Sequence, residues 1–297
     1  MKSKPIAPSE LIINSDGSVF HLHLLPEDIA PTVLLFGDPG RTDMAAQLLD
    51  SVELRKSARE FNTVTGLFRG KRVTLLSTGI GTDNIDIAVT ELDALANIDF
   101  KTRILKPQHT SLNILRIGTC GACRADIPLG SYVFSRYAIG FDGLMNWYAE
   151  GEKHMLADFE EAFVRHMNWP SRLARPYFVK SGERLSKLFE GFARMGMTVS
   201  APGFYGPQGR SVRMDLVIPD LVDRLESFEY KGEQVTNIEM ESSALFGMSA
   251  ILGHEAGTLC LVAANRHRKE SNPDYKPLME QLILKALEKI QTDGAQR

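Results

Sequence analysis

Residues 112–121 read Leu-Asn-Ile-Leu-Arg-Ile-Gly-Thr-Cys-Gly, and the rest of the chain can be organised around them. A short apolar run ends in Arg116, and Gly118, Thr119 and Cys120 follow at once. A buried strand delivers polar groups to its carboxyl end in this way, and open α/β sheets bind their ligands at that end. Arginine offers a charged planar fork, threonine a hydroxyl, and glycine a closely approachable backbone. The stretch alone fits equally an oxyanion site and a strand that ends in a glycine turn, with Arg116 in solvent.

The composition is that of an ordinary globular protein. The chain has 297 residues, 43% hydrophobic and 24% charged, which is enough to bury a sizeable core. A formal net charge of -3 argues against a nucleic-acid binder, because such proteins need a basic face. The sequence shows no long apolar run and no signal-peptide core near its start. We therefore expect a cytoplasmic protein with a single α/β domain over residues 1–297.

The three cysteines are too few for a secreted disulfide framework. Cys120 and Cys123 form a C-x-x-C pair, a spacing found in zinc sites and in thiol oxidoreductases. No second cysteine pair and no nearby histidine completes a four-ligand set, so we expect no metal. A redox pair remains an alternative interpretation of this spacing.

Apolar runs that break into Gly, Asp or Pro predict strands followed by helices, the pattern of an α/β fold. The predicted strands are 18–25, 32–36, 63–69, 72–77, 130–139, 197–201 and 258–264, and the predicted helices are 42–49, 85–96 and 278–290. Alternation in the first strand places His21 and His23 on the face opposite its apolar side chains. Asp83 or Asn84 is expected to cap the second helix.

Two loops carry polar groups at predicted strand ends. Gly37 and Arg41 flank the turn before a helix, a position favourable to anions. Gln208 and Arg210 stand two residues apart in a Gly/Pro-rich loop, where they can hydrogen-bond the edge of a flat polar heterocycle. Each loop taken alone also fits a plain surface turn.

A third motif places Glu239, Met240 and Glu241 at a predicted strand-to-helix junction. Two carboxylates at this spacing can serve acid/base chemistry or bind vicinal hydroxyls. The alternative is structural, because acidic residues in a first helical turn also complement the helix dipole.

In their order along the chain, these motifs closely resemble the uridine phosphorylases within the wider nucleoside phosphorylase family. The matching segments are Val19-Phe20-His21-Leu22, Gly37-Asp38-Pro39-Gly40-Arg41, Arg59-Glu60-Phe61, Ser77-Thr78-Gly79-Ile80-Gly81, Arg116-Ile117-Gly118-Thr119, Gln208-Gly209-Arg210 and Asn237-Ile238-Glu239-Met240-Glu241-Ser242. Glu-Met-Glu and Arg-Ile-Gly-Thr mark the family, and the Gln-x-Arg pair separates its pyrimidine from its purine members. The resemblance implies a central mixed, twisted sheet, partly closed into a barrel and flanked by helices.

The resemblance also implies an activity, that of a pentosyltransferase of nucleoside salvage. Such an enzyme reversibly converts uridine and phosphate to uracil and ribose 1-phosphate, with phosphate as a co-substrate and no cofactor. The alternatives are a purine nucleoside phosphorylase, a nucleosidase of the same fold, and a catalytically silent nucleoside-binding protein. The intact phosphate arginines argue against the nucleosidase, and the Gln208/Arg210 pair argues against the purine enzyme.

Roles for single residues follow from the same resemblance. It implies phosphate binding by Gly37, Arg41, Arg116, Thr119 and, from a neighbouring subunit, Arg59. It implies ribose binding by Met240, Glu241 and, across the subunit boundary, His21. It implies base binding by Phe204, Gln208 and Arg210, and a catalytic set of Arg116, Gln208, Arg210 and Glu241. Homodimers with shared sites are implied, while a hexamer of three dimers is left open.

The chain departs from the family pattern at several positions. Cys120 stands where the family usually has Thr or Ser, so a hydroxyl near the sugar and phosphate is lost. A potassium ion near Glu60, bound by some bacterial members, is disfavoured because Asn84 replaces a Ser. Purine-specific members use an Asp near the final strand, and here Asn265 and Arg266 occupy that place, which agrees with a pyrimidine substrate. Residues 142–170 and 266–277 match the family poorly.

Overall fold

A mixed sheet of twelve strands forms the centre of the computed structural model, which describes residues 4–293. In chain order the strands are β1 (Thr32–Phe36), β2 (Ser51–Ala58), β3 (Phe61–Phe68), β4 (Lys71–Ser77), β5 (Ile98–Asp99), β6 (Ile104–Leu105), β7 (Asn113–Ala122), β8 (Tyr132–Gly140), β9 (Tyr177–Lys180), β10 (Arg194–Ser200), β11 (Glu229–Tyr230), β12 (Glu233–Glu239), β13 (Glu255–Asn265) and β14 (Glu270–Ser271). Strands β5 and β6 form a separate small pair.

Helices cover both faces of this sheet. They are α1 (Pro39–Ala46), α2 (Thr82–Asn97), α3 (Ala157–Met167), α4 (Glu183–Phe189), α5 (Leu221–Ser227), α6 (Ser242–Leu252) and α7 (Lys276–Asp293), with short 3-10 turns at Pro26–Asp28, Leu144–Trp147, Gly151–His154 and Gly206–Gln208. Helices α2 and α6 share one apolar core, α1, α4 and α7 a second, and α3 and α5 a third. None of the helices in residues 4–293 combines the length and the apolar character needed to cross a membrane.

Five strands close into a ring. Strand β7 pairs in parallel with β13, β13 pairs antiparallel with β8, and β10 joins β8 to β12. The ring closes because Gly121 and Ala122 at the end of β7 pair with Ile238 and Asn237 of β12. The predicted α/β fold with a sheet partly closed into a barrel is therefore confirmed. The closure brings the carboxyl ends of β7 and β12 together.

The central strand runs further than its sequence suggested. The alternative of a strand that ends in a glycine turn is wrong, because β7 continues through Gly118 and Thr119 to Ala122. Thr119 pairs with Leu261 of β13, so the glycine-containing stretch belongs to the sheet and forms no turn. Arg116 is therefore held in mid-strand with 4% of its surface exposed, and it does not reach solvent.

The predicted strand over residues 18–25 is also wrong. Within residues 4–293 it takes part in one isolated bridge, between Val19 and Ile13. The backbone N–H groups of His21 and Leu22 instead donate to the carboxylate of Glu91 in α2, at 3.0 and 2.8 Å. Leu22 and Leu24 are buried as the alternation indicated, but they reach the core from a turn. In this turn the Glu91 side chain accepts backbone N–H groups that a neighbouring strand would otherwise bind.

All three predicted helices begin earlier than expected, at Pro39, Thr82 and Lys276. Helix α1 begins at Pro39, three residues before the predicted start, because the Asp38 carboxylate accepts the N–H of Gly40 at 2.9 Å and caps it. Neither Asp83 nor Asn84 caps α2, so that prediction is wrong. The N-cap is Gly81, whose φ of +106° lies in a region that favours glycine.

Candidate active site

A cavity of about 280 Å³ opens where β1, β7 and β12 end. It brings together nine residues that the sequence predicted for the site: Gly37, Arg41, Arg116, Thr119, Phe204, Gln208, Arg210, Met240 and Glu241. They come from four separate parts of the chain, and the convergence of strand ends explains their meeting. Two further predicted residues, His21 and Arg59, do not line this cavity.

Arg116 lies at the floor of the cavity between two carboxylates. Its Nη1 is 3.2 Å from Oε2 of Glu239, and its Nη2 donates to Oε2 of Glu241. Gly118 makes room for this guanidinium, because a Cβ at that position would lie 2.3 Å from Nη1. Glycine is needed at position 118 because the Arg116 guanidinium approaches it closely. The backbone conformation does not require glycine there, since the φ of Gly118 is not in the left-handed region.

Glu239 and Glu241 divide the two roles that the sequence left open. Glu239 acts structurally: it accepts the N–H groups of Glu241 and Ser242 at 3.0 and 3.1 Å and a bond from the Ser200 hydroxyl at 2.6 Å. It therefore caps the start of α6. Both residues line the cavity, and there Oε1 of Glu241 accepts the N–H of Gly81 at 2.9 Å.

Burial governs the ionisation of this cluster. Burial raises the pKa of Glu241, and Arg116 opposes this by favouring the carboxylate. Burial alone would lower the pKa of Arg116, but Glu241 and Glu239 outweigh it and hold that pKa above its usual range. Arg116 therefore stays cationic, and the two neighbouring carboxylates already match its charge.

Arg41, by contrast, has only neutral partners. Its Nη2 lies 3.5 Å from the Thr119 hydroxyl and 3.2 Å from that of Tyr275. Within residues 4–293 no carboxylate forms an ion pair with it. Arg41 sits in the first turn of α1, and Gly37 lies just before that helix. This end of the cavity therefore offers an uncompensated positive charge and a helix start, a combination suited to an anion.

A separate part of the cavity carries Gln208 and Arg210. Nη1 of Arg210 donates to Oε1 of Gln208 and, at 2.7 Å, to the carbonyl of Phe204. The guanidinium carbon also lies 3.8 Å from the centre of the Phe204 ring. Burial and the nearby Arg266 lower the pKa of Arg210 to about 10, which still leaves it charged at neutral pH. This end combines a cation, an amide and an aromatic face.

Arg266 was not predicted as a site residue, and it holds the loop in place. Its guanidinium donates to the carbonyls of Gln208 and Gly209 at 3.0 and 3.2 Å. The preceding Asn265 is buried elsewhere and donates to the carbonyls of Arg124 and Ile127. The sequence placed Arg266 after the last long strand but gave no sign that it reaches a loop 57 residues earlier in the chain.

His21 and Arg59 lie on the surface of the same chain. Nδ1 of His21 is 2.7 Å from Oε1 of Glu91, and 30% of the His21 side chain is exposed. Arg59 is exposed at the tip of the turn between β2 and β3. Neither side chain contributes to the cavity of its own subunit, so any role there requires a second copy.

The thiols are poor nucleophiles. Cys120, Cys123 and Cys260 are all buried and unbridged. Burial raises the pKa of Cys120 well above its usual value and that of Cys123 to about 12. Since the thiolate is the reactive form, the redox alternative for the C-x-x-C pair gains no support. Cys120 lines the cavity as an uncharged thiol.

One group of possible metal ligands, Asp93, His109 and His254, lies at the amino ends of β7 and β13, away from the cavity. Nδ1 of His254 accepts the N–H of Leu112 at 3.2 Å, so a neutral ring carries its proton on Nε2. That Nε2 faces Oδ1 of Asp93 at 3.2 Å. In this arrangement His254 links the backbone before β7 to the Asp93 side chain.

Comparison with known proteins identifies the class of protein. The model of the phosphorylase superfamily matches residues 31–291. The chain therefore belongs to the phosphorylase superfamily.

The chain is similar to several nucleoside phosphorylases. A uridine phosphorylase from Thermococcus kodakarensis is 29% identical over 86% of this chain and 80% of its own length. A guanosine phosphorylase from Halorubrum lacusprofundi is 28% identical over 82% and 83% of the two chains. A Trypanosoma brucei nucleoside phosphorylase, described as showing uridine phosphorylase activity, superimposes with a TM-score of 0.85 at 28% identity, covering 94% of this chain and 98% of its own.

Gly118→Ala should displace the Arg116 guanidinium and break its pairs with Glu239 and Glu241. Breaking a buried ion pair costs about 3 kcal/mol, so the free energy of unfolding in urea should fall by that order. The matched control is Gly37→Ala in the same cavity, where a Cβ would meet Gly79 O at 3.5 Å and Arg116 Nη2 at 3.9 Å, both ordinary contacts. Equal losses in the two variants would contradict the packing argument.

Proposed function

We propose that this protein is a uridine phosphorylase, which converts uridine and phosphate reversibly to uracil and ribose 1-phosphate. The proposal rests on the presence of two different binding environments in one cavity. An uncompensated Arg41 beside Thr119 stands at one end, and Gln208 with Arg210 at the other. The first end suits a phosphate, and the second suits a heterocycle with carbonyl and N–H groups on one edge.

The proposed roles follow the positions in the cavity. Phosphate is bound by Gly37, Arg41, Arg116 and Thr119, with Arg59 of a second copy. Ribose is bound by Met240 and Glu241, with His21 of a second copy. The base is bound by Phe204, Gln208 and Arg210.

The charge distribution suits cleavage of an N-glycosidic bond. As the bond breaks, the sugar becomes oxocarbenium-like and the base leaves as an anion. A phosphate held by Arg41 brings negative charge to the sugar and attacks it. Arg210, still cationic at neutral pH, stabilises the negative charge that develops on uracil. Uracil must take over the bonds that Arg210 now makes to Gln208 and Phe204.

Glu241 is fixed as a hydrogen-bond acceptor for the sugar. One of its oxygens accepts from Gly81 and the other from Arg116. Each carboxylate oxygen has a second lone pair, so the group can also accept from the two ribose hydroxyls. Arg116 therefore contributes by orienting Glu241, as well as by adding a donor to the phosphate end.

A second copy of the chain completes this site. Ile80 and Phe204 line the cavity and are 65% and 50% exposed, an apolar rim of the kind that a partner subunit covers. Arg59 and His21, which do not reach the cavity of their own subunit, are the residues that such a partner supplies. The proposed assembly is a homodimer with shared sites.

Purified protein should release uracil from uridine only when phosphate is present. The measurement is uracil release, followed with and without phosphate, with inosine and guanosine as alternative substrates. Release without phosphate would identify a hydrolase, and preference for inosine or guanosine would identify a purine enzyme. Either result would overturn the proposed function.

Arg210→Ala should lower kcat/KM for uridine about a hundredfold, or ~3 kcal/mol, because the leaving base loses its charged donor. Arg213→Ala is the matched control, since Arg213 is an exposed arginine of the same loop and lies outside the cavity. Steady-state kinetics compare the two. Near-normal turnover by Arg210→Ala would show that the assigned base site is wrong.

Arg59→Ala and Glu241→Gln should each be nearly inactive as homodimers, whereas their heterodimer should recover activity. One of its two sites takes Glu241 from one chain and Arg59 from the other, so roughly half the wild-type rate per dimer is expected. The heterodimer is isolated with two affinity tags and assayed at once. Arg55→Ala, a change of an exposed arginine on β2, should stay active alone. Failure of the heterodimer to recover would contradict shared sites.

A further inference from the structure

The segment after β13 turns back over the phosphate end of the cavity. Strand β14 pairs antiparallel with the end of β13, with Ser271 opposite Ala264 and Glu270 opposite Asn265. Ala264 lines the cavity, so the chain returns alongside it before α7 begins. Tyr275, the last residue before α7, is half-buried there. Residues 266–277 matched the family poorly, and no role was predicted for this tyrosine.

Tyr275 contacts Arg41 with both its hydroxyl and its ring. The hydroxyl oxygen accepts from Nη2 of Arg41 at 3.2 Å, and the guanidinium carbon lies 5.7 Å from the ring centre. The backbone of Tyr275 is fixed in turn, because its carbonyl accepts the N–H of Met279 at 3.0 Å. The only other hydrogen bond of the Arg41 side chain within residues 4–293 is the longer one to Thr119.

Arg41 lines both the main cavity and a smaller neighbouring one of about 110 Å³, which Tyr275 and Lys276 also line. Tyr275 contacts the guanidinium from the side of the smaller cavity, and it does so with a neutral hydroxyl and a ring face. Such groups orient a cation without cancelling its charge.

We infer that Tyr275 is a positioning residue for phosphate, which acts by restricting the Arg41 guanidinium to its place beside Thr119 without neutralising its charge. The inference rests on the proposed function. Tyr275 does not line the main cavity, so its effect reaches phosphate through Arg41. It should therefore alter the use of phosphate and leave the use of the nucleoside unchanged.

The test compares Tyr275→Phe, which removes only the hydroxyl, with Tyr275→Ala, which also removes the ring. Loss of one hydrogen bond to a charged group should raise KM for phosphate roughly three- to tenfold in Tyr275→Phe, and further in Tyr275→Ala. KM for uridine should stay within about twofold, since the base and ribose contacts are untouched. Tyr230→Phe, a hydroxyl loss on the remote strand β11, is the matched control and should change neither.

A second measurement separates this inference from the proposed function. Inorganic phosphate alone should raise the Tm of the wild-type protein and of Tyr230→Phe more than that of either Tyr275 variant, because ligands stabilise the state that binds them. If uridine is not cleaved but this difference appears, the inference stands without the proposed function. An unchanged phosphate KM and Tm shift in both Tyr275 variants would overturn the inference, as would parallel rises in both KM values.

Discussion

A guanidinium buried to 4% exposure between two carboxylates is the constraint on which this site depends. Arg116 cannot lose its charge, and an unpaired charge at that depth would cost several kcal/mol. Its pairing therefore fixes the surroundings. Position 118 must be glycine to leave room, Glu239 must stay near enough to cap α6, and Glu241 must point into the cavity. One buried ion cluster thereby ties β7, β12 and α6 to a single arrangement.

The arginines of the cavity differ in how their charges are compensated. Carboxylates neutralise Arg116, so it shapes the site more than it attracts anions. Arg41 and Arg210 are held by neutral groups: hydroxyls for the first, an amide and a backbone carbonyl for the second. Their charges remain available for a ligand. Bond cleavage between a sugar and a base needs just such charges at separate points, one for the attacking anion and one for the leaving anion.

The predictions from sequence were most accurate where the local residue pattern and the strand topology indicated the same structure. Strand β1 is a continuous apolar run, as a buried parallel strand should be. The polar motifs that follow strands meet in one cavity because β1 and β7 are parallel and the pairing of β7 with β12 closes the ring. The strand prediction for residues 18–25 was wrong, because the alternation of buried and exposed residues there arises from a turn. The backbone N–H groups of this turn donate to the carboxylate of Glu91. The sequence could not show Arg266 or Tyr275 as site residues, because each acts through a contact with a segment far away in the chain.

Charge balance explains why one subunit is not enough for the proposed reaction. A phosphate dianion beside Thr119 meets one uncompensated guanidinium of its own chain, Arg41, since Arg116 is already paired. In the proposed dimer a second positive charge comes from Arg59 of the other copy, which is exposed on a turn that does not line the cavity of its own subunit. Phosphate binding and subunit association are linked in that proposal, because each stabilises the state that the other requires. The same neighbouring copy would cover the exposed apolar rim.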